Sequence, residues 1–289
     1  MKKLVAIALI LLGYSCASSK YGLQSPLSTW DLSTLTREEI EIANKLLSYG
    51  LEHEALYTLL DTLKPISSSG FSLSYPIAKD STMNDGDKDV VDPLSDSTRL
   101  NFDELKTWNK ITRALTTREL TFLLIPYKQP WNGKRNLQLL VVRNSVFSKL
   151  LKRRASFFGQ WGFTANANSA TVLSVVEYEN KNDRYRAYGY LFGYPEHAVD
   201  FFVEASITEE ETGEFVKRNF FTIPVEAGNS GDFTYAVPVN YIPTNTDSTL
   251  YQKAIDRLEF YQKLKSQYRS SNGKLKAIKL LEDHYKVKH

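Results

Sequence analysis

The chain contains a single cysteine, Cys16, so no internal disulfide can form and whatever folds here must stand on its own buried core. Its 289 residues suffice for that. Chains of such length bury roughly 75% of the surface that the unfolded chain exposes. A hydrophobic content of 42% is ordinary for a globular protein. The length predicts one large domain, or a small one followed by a large one.

The cysteine also ends the most informative stretch of the chain. Lys2 and Lys3 form a basic start, Leu4 to Leu12 is an uninterrupted apolar run, and Gly13-Tyr14-Ser15-Cys16 follows. That order is a secretory signal peptide, and the run is far shorter than the roughly 20 residues of a membrane-spanning helix. With Ser15 before Cys16, the segment resembles the bacterial lipoprotein signal, in which a small residue precedes a cysteine that becomes the acylated N-terminus. The resemblance implies a signal peptide over 1–15, lipidation at Cys16 and anchorage in the cell envelope. Ala17, where Asp would hold a lipoprotein at the inner membrane, points to the outer one. Ordinary cleavage at the small-x-small site Ser15-Cys16-Ala17 is the other reading.

Beyond the cysteine, residues 16–35 read as a flexible tether rich in serine. Thr36 and Glu39 form a capping box, and Ile40, Ala43 and Leu47 recur at helical spacing up to Gly50. A second helix is predicted through Leu63, stopped by Pro65. The segment 36–65, with Gly50, Ala55 and Pro65, resembles one tetratricopeptide-type helical hairpin; equally, it is a hairpin packed on the main domain. Residues 66–99 read as an acidic linker or loop. Residues 100–289 then form the main domain. Strands are predicted at Leu120–Ile125 and Leu137–Val142, with a hairpin of Phe215–Val225 and Phe233–Val239 around Gly228-Asn229-Ser230-Gly231. Helices fill most of the remainder, with Pro195 at the first position of one of them and a break near Asn180. The fold class is α+β, helix-dominated, with about four strands.

The net charge of +3 conceals an uneven distribution. Between Asp80 and Glu104 acids outnumber bases eight to two, whereas Leu120 to Val176 holds eight bases and no acid. In the acidic segment Asp85, Asp87, Asp89 and Asp92 resemble the Asp-rich calcium loops of EF-hands and thrombospondin type 3 repeats, which would make calcium the one cofactor to expect; a solvated linker explains them equally. In the basic segment Lys149, Lys152, Arg153 and Arg154 share a helix with Phe147, Leu150, Leu151, Phe157 and Phe158. Such a helix can meet an anionic headgroup layer, or pack as an ordinary core helix with a solvated face. His197, Asp200 and Glu204 share one helical face and form a candidate acid/base or metal group; the bland reading is a polar surface face opposite Ala198 and Phe202. Trp131 and Trp161 are candidates for sugar stacking, although most aromatic residues belong in a core. His284 and His289 read as exposed.

No nucleophile elbow, zinc motif, phosphate loop or dinucleotide fingerprint occurs in the sequence. The leading expectation is therefore a non-catalytic binding or assembly subunit of the envelope, holding a partner protein or polymer near the membrane. The second is an envelope-polymer hydrolase using Glu177, Asp200 and Glu204. The third is a peripheral module for anionic lipid or lipopolysaccharide. Export makes nucleic acid an unsuitable partner.

Overall fold

The computed structural model describes residues 30–76, 102–228 and 232–287. The signal peptide, Cys16, most of the tether, the calcium candidates Asp85, Asp87, Asp89 and Asp92, and His289 lie outside the described residues. What is described is α+β and mostly helical, as expected, with ten α-helices and five strands.

Helix α1 (Arg37–Glu52) starts at the predicted capping box: the Thr36 hydroxyl accepts from the Glu39 amide at 3.2 Å, and the Glu39 carboxylate accepts from the Thr36 amide at 2.7 Å. Gly50 does not end it. The glycine is buried inside the last turn, where a Cβ would stand 3.2 Å from Leu59 and 3.3 Å from Ala55. It lets the chain fold straight back into α2 (Leu56–Leu59), a single turn rather than the longer second helix predicted. Arg143 explains the early stop. Its buried guanidinium donates to the carbonyls of Thr58 (3.0 Å), Leu59 (3.1 Å) and Asp61 (3.1 Å), satisfying the oxygens that a continuing helix would have used.

The stretch that reads as the start of a linker is strand β1 (Ile66–Pro76). Five serines disguise it, yet Ser69 donates to the Leu139 carbonyl and Ser67 shares a hydrogen bond with Thr58, so the buried hydroxyls are satisfied. A bulge between Ser68 and Ser72, with Gly70 at φ 73°, adjusts its register. After α3 (Asp103–Leu115) come β2 (Leu120–Pro126) and β3 (Lys134–Arg143), the predicted pair. The antiparallel sheet runs β1-β3-β2.

That sheet is covered on both faces. Leu139 and Val141 point into a large cluster with α1, α2, α3, α9 (Asn245–Lys265) and α10 (Ala277–Val287). Leu140 and Val142, alternating with them, enter a second cluster. This one is formed with α4 (Asn144–Arg153), α5 (Ala155–Phe158), α6 (Ser169–Tyr178) and α7 (Lys181–Leu191). Such burial explains why β3 reads as a continuous apolar run. The helical stretch predicted to break near Asn180 does so, because Asn180 caps α7 through the Asp183 amide at 3.1 Å. Helix α8 (Glu196–Thr212) begins one residue later than predicted, with Pro195 as its N-cap rather than its first residue. The second hairpin is β4 (Arg218–Thr222) with β5 (Thr234–Pro238), and a third small cluster of Ala198, Tyr235 and Val237 joins it to α8.

Arg143 therefore couples β3 to the end of α2, and Arg143→Met should lower unfolding stability by about 3 kcal/mol, since it strips donors from buried carbonyls. Arg143→Lys, unable to fork, should recover only part. Urea titration checks both; a variant as stable as the parent would refute the coupling.

Candidate functional site

Beneath the site lies an ion pair cut off from water. Lys64 sits in the short turn between α2 and β1 with its side chain 0% exposed, and its ammonium is bonded to the Glu54 carboxylate. The other carboxylate oxygen accepts from the Ser68 amide at 2.9 Å. Burial pulls the Lys64 pKa down, and the adjacent Glu54 charge opposes that pull. The ammonium also lies 4.2 Å from the Phe233 ring centroid and 5.3 Å from that of Phe192, close enough for cation–π attraction. Gly193, at φ 78°, packs against this turn; a Cβ there would stand 3.1 Å from the Leu63 carbonyl oxygen.

Above these rings opens a cavity of about 320 Å³ between α7, α8, the Phe192–Tyr194 turn and the β4–β5 hairpin. Its walls are chiefly aromatic: Tyr185, Tyr188, Phe192, Tyr194, Phe202, Phe220 and Tyr235 all face it. The rings brace one another. Tyr188 stacks with Phe192 at 5.7 Å, Tyr194 with Phe233 at 6.1 Å, and Tyr185 meets Phe202 edge-on at 5.2 Å. Gly189 sets the back wall, since a Cβ there would stand 2.7 Å from Val199, so only glycine lets α7 and α8 approach so closely.

The polar ends of three wall residues are committed elsewhere. Tyr188 donates to Glu177 at 2.7 Å, Tyr235 to Asp247 at 2.6 Å, and Thr234 to Thr222 at 3.0 Å. Burial first, and then the neighbouring carboxylates, push the Tyr188 and Tyr235 phenols up; burial and Glu54 do the same to Tyr194. Tyr188, Tyr194 and Tyr235 therefore present neutral ring faces to the cavity.

Asp247 holds the outer wall. It is fully buried and accepts from Tyr235, Tyr241, and both the amide and the hydroxyl of Thr244, each of the last two at 2.7 Å. Burial disfavours its charge, but these hydrogen bonds outweigh burial and hold the carboxyl at about 2. The same contacts cap α9. His197 Nε2 joins the group, 3.2 Å from Asp247 and 2.7 Å from the Tyr241 hydroxyl, with its ring stacked on Tyr241.

His197 is thus drawn to Asp247 on α9, while Asp200 pairs with Arg186 and Glu204 is exposed. No hydrogen bond or ion pair joins any two of His197, Asp200 and Glu204. Glu177 is buried and held by Tyr188 and by the Lys128 amide at 2.8 Å. Lys149, Lys152 and Arg153 are exposed on α4 and its end, whereas Arg154 pairs with Glu196 and lies over Tyr190 at 4.4 Å. The apolar face of that helix (Phe147, Leu150, Leu151) is spent in the second core cluster, together with Phe158. Trp161 packs edge-on against Phe157, Trp131 is exposed, and His284 is half-buried against Phe260 and Tyr285 rather than exposed. Among the described residues no group of three or more His, Cys, Asp or Glu side chains is placed to hold a metal, and no helix is long and apolar enough to cross a membrane. The pocket itself had one sequence signal: the density of Tyr and Phe from Tyr185 to Phe202, interleaved with Gly189 and Gly193.

No protein-family model, no curated protein and no solved structure matches this chain.

Because Asp247 titrates at about 2 in the fold against an ordinary aspartate value of 3.8, its contribution to stability is complete above pH 3.8 and is lost as pH falls toward about 2. Asp247→Asn should be less stable than the parent near neutrality, and that gap should narrow over this acid window. Thermal unfolding of both proteins across pH measures it. A gap independent of pH would contradict the assignment.

Proposed function

We propose that this chain is an exported lipoprotein, acylated at Cys16, whose folded part is a non-catalytic binding module of the cell envelope. The aromatic cavity carries the reading. A pocket of about 320 Å³, walled by braced rings, falls at the small end of the ~300–1,000 Å³ range of small-ligand sites and suits an apolar group of a ligand or envelope partner. Tyr188, Tyr235 and Thr234 direct their hydrogen bonds into the protein, so a sugar hydroxyl beside them would find no free partner. The signal-like N-terminus with Cys16 supports export and tethering. Binding is favoured over hydrolysis by the state of the carboxylates. Glu177 is clamped by an amide and a phenol, Asp200 is neutralised by Arg186, and α7 supplies the partner in each case. Contact of the exposed Lys149, Lys152 and Arg153 with an anionic surface would be electrostatic only, because the apolar side of α4 is already buried.

Two measurements test the reading. Intact-mass analysis of protein from the membrane fraction should find an acylated N-terminal cysteine, and Cys16→Ser should lose the acyl mass and move to the soluble fraction; an unmodified, soluble parent would exclude the lipoprotein. The soluble Cys16→Ser chain should bind the neutral fluorophore N-phenyl-1-naphthylamine saturably at one site. Ala236→Trp, which places an indole in the cavity, should weaken that binding at least tenfold. Equal binding by the filled variant would rule out the pocket.

A further inference from the structure

Resting on the reading of the aromatic cavity as a binding site, we infer that its ligand joins a single apolar body to a terminal carboxylate, and that Arg218 binds the carboxylate at the mouth. Arg218 opens β4, and Phe220, two residues along the same strand face, lines the cavity. The guanidinium lies 5.6 Å from the centroid of Phe202, another wall residue, and 4.4 Å from that of Phe215. Two rings thus hold the planar group, one of them, Phe202, belonging to the cavity wall. Phe215 and Phe220 are both 64% exposed and Arg218 is half-buried, so the cation sits within an apolar surface.

Among the described arginines, Arg218 is the one with a side-chain nitrogen that is buried and unpartnered. Arg154, Arg186 and Arg257 each pair with a carboxylate, and Arg143 is satisfied by three backbone carbonyls. Arg218 has one hydrogen bond, from Nε to the Val216 carbonyl at 3.1 Å, and its Nη2 is buried without a hydrogen-bond partner among the described residues. A buried donor left unmade is unfavourable, and an acceptor arriving with a ligand removes the deficit. The guanidinium fork matches the planar geometry of a carboxylate, and a weakly hydrated cation flanked by rings keeps that bond partly shielded from water. No carboxylate lines the cavity, so nothing there competes for the guanidinium, and the ring faces take the remainder of the ligand. The volume fits one medium-length chain and excludes a two-chain lipid.

The test is displacement of N-phenyl-1-naphthylamine from the Cys16→Ser chain by decanoate, decanol, decyl phosphate and decyltrimethylammonium. Decanoate should displace the probe at a concentration at least tenfold below that of decanol, with the cationic amphiphile weakest. Arg218→Gln should abolish that preference, bringing decanoate to the level of decanol, and Arg218→Lys should keep part of it. Decanol as effective as decanoate, a preference that survives Arg218→Gln in a protein with an unaltered circular dichroism spectrum, or decyl phosphate tenfold better than decanoate would each overturn the carboxylate assignment. Failure of the parent chain to bind the probe at all would instead sink the cavity reading on which it rests.

Discussion

Lys64 and Glu54 form a buried charge pair whose cation has no access to water, and much of the architecture follows from having to satisfy it. An isolated ammonium in a protein interior is costly, so the pair persists only with good geometry and further partners. Those partners are structural elements. Glu54 belongs to the turn between α1 and α2, and its second oxygen takes the Ser68 amide of β1. Phe192, at the end of α7, and Phe233, just before β5, present ring faces to the ammonium. One cation therefore gathers segments from the start, middle and end of the chain. Gly193 lets the α7–α8 turn settle onto the Lys64 backbone.

This arrangement stands in for covalent crosslinks in a chain with one cysteine. The three-stranded sheet is buried on both faces, and the charged groups around it are paired: Arg143 with three carbonyls, Lys265 with Glu52 and Glu226, Arg257 with Asp61. Apolar burial supplies most of the driving force, as in any domain of this size. The matched polar contacts fix which helix end meets which strand, because a wrong register would leave buried charges unpaired.

Local features were legible in the sequence, and distant ones were not. The Thr36–Glu39 box was readable because both hydrogen bonds lie within one turn. The equivalent box at Thr244 escaped because its third residue is Asp247 rather than a glutamate or glutamine, and because Tyr235 and Tyr241 arrive from outside the helix. The first strand hid behind serines whose partners, Thr58 and Leu139, lie 9 and 70 residues away. The basic run at Lys149 to Arg154 was visible as charge, but only the fold shows that Arg154 is taken by Glu196, 42 residues on. His197, Asp200 and Glu204 do share a helical face, yet each is claimed by a different environment, which no spacing rule can reveal. The aromatic density between Tyr185 and Phe202 was visible too; that its rings wall a cavity instead of filling a core depends on how α8 and the second hairpin are placed.

The consequence for binding is that the cavity is built before any ligand arrives. Apart from the exposed Phe220, each wall ring is held by another ring, by a carboxylate behind it, or by the Lys64 ammonium beneath it. Tyrosine and phenylalanine have few rotatable bonds, so fixing them costs little further entropy when a ligand enters. The elements that hold the fold also hold the pocket: Asp247 caps α9 and fixes Tyr235, and Glu177 ties α6 to Tyr188. Any ligand that binds only the folded state must then stabilise the whole chain in proportion to its affinity and concentration. Disturbing Lys64, far below the surface, should in turn reach the binding site through Phe192 and Phe233 without touching the ligand.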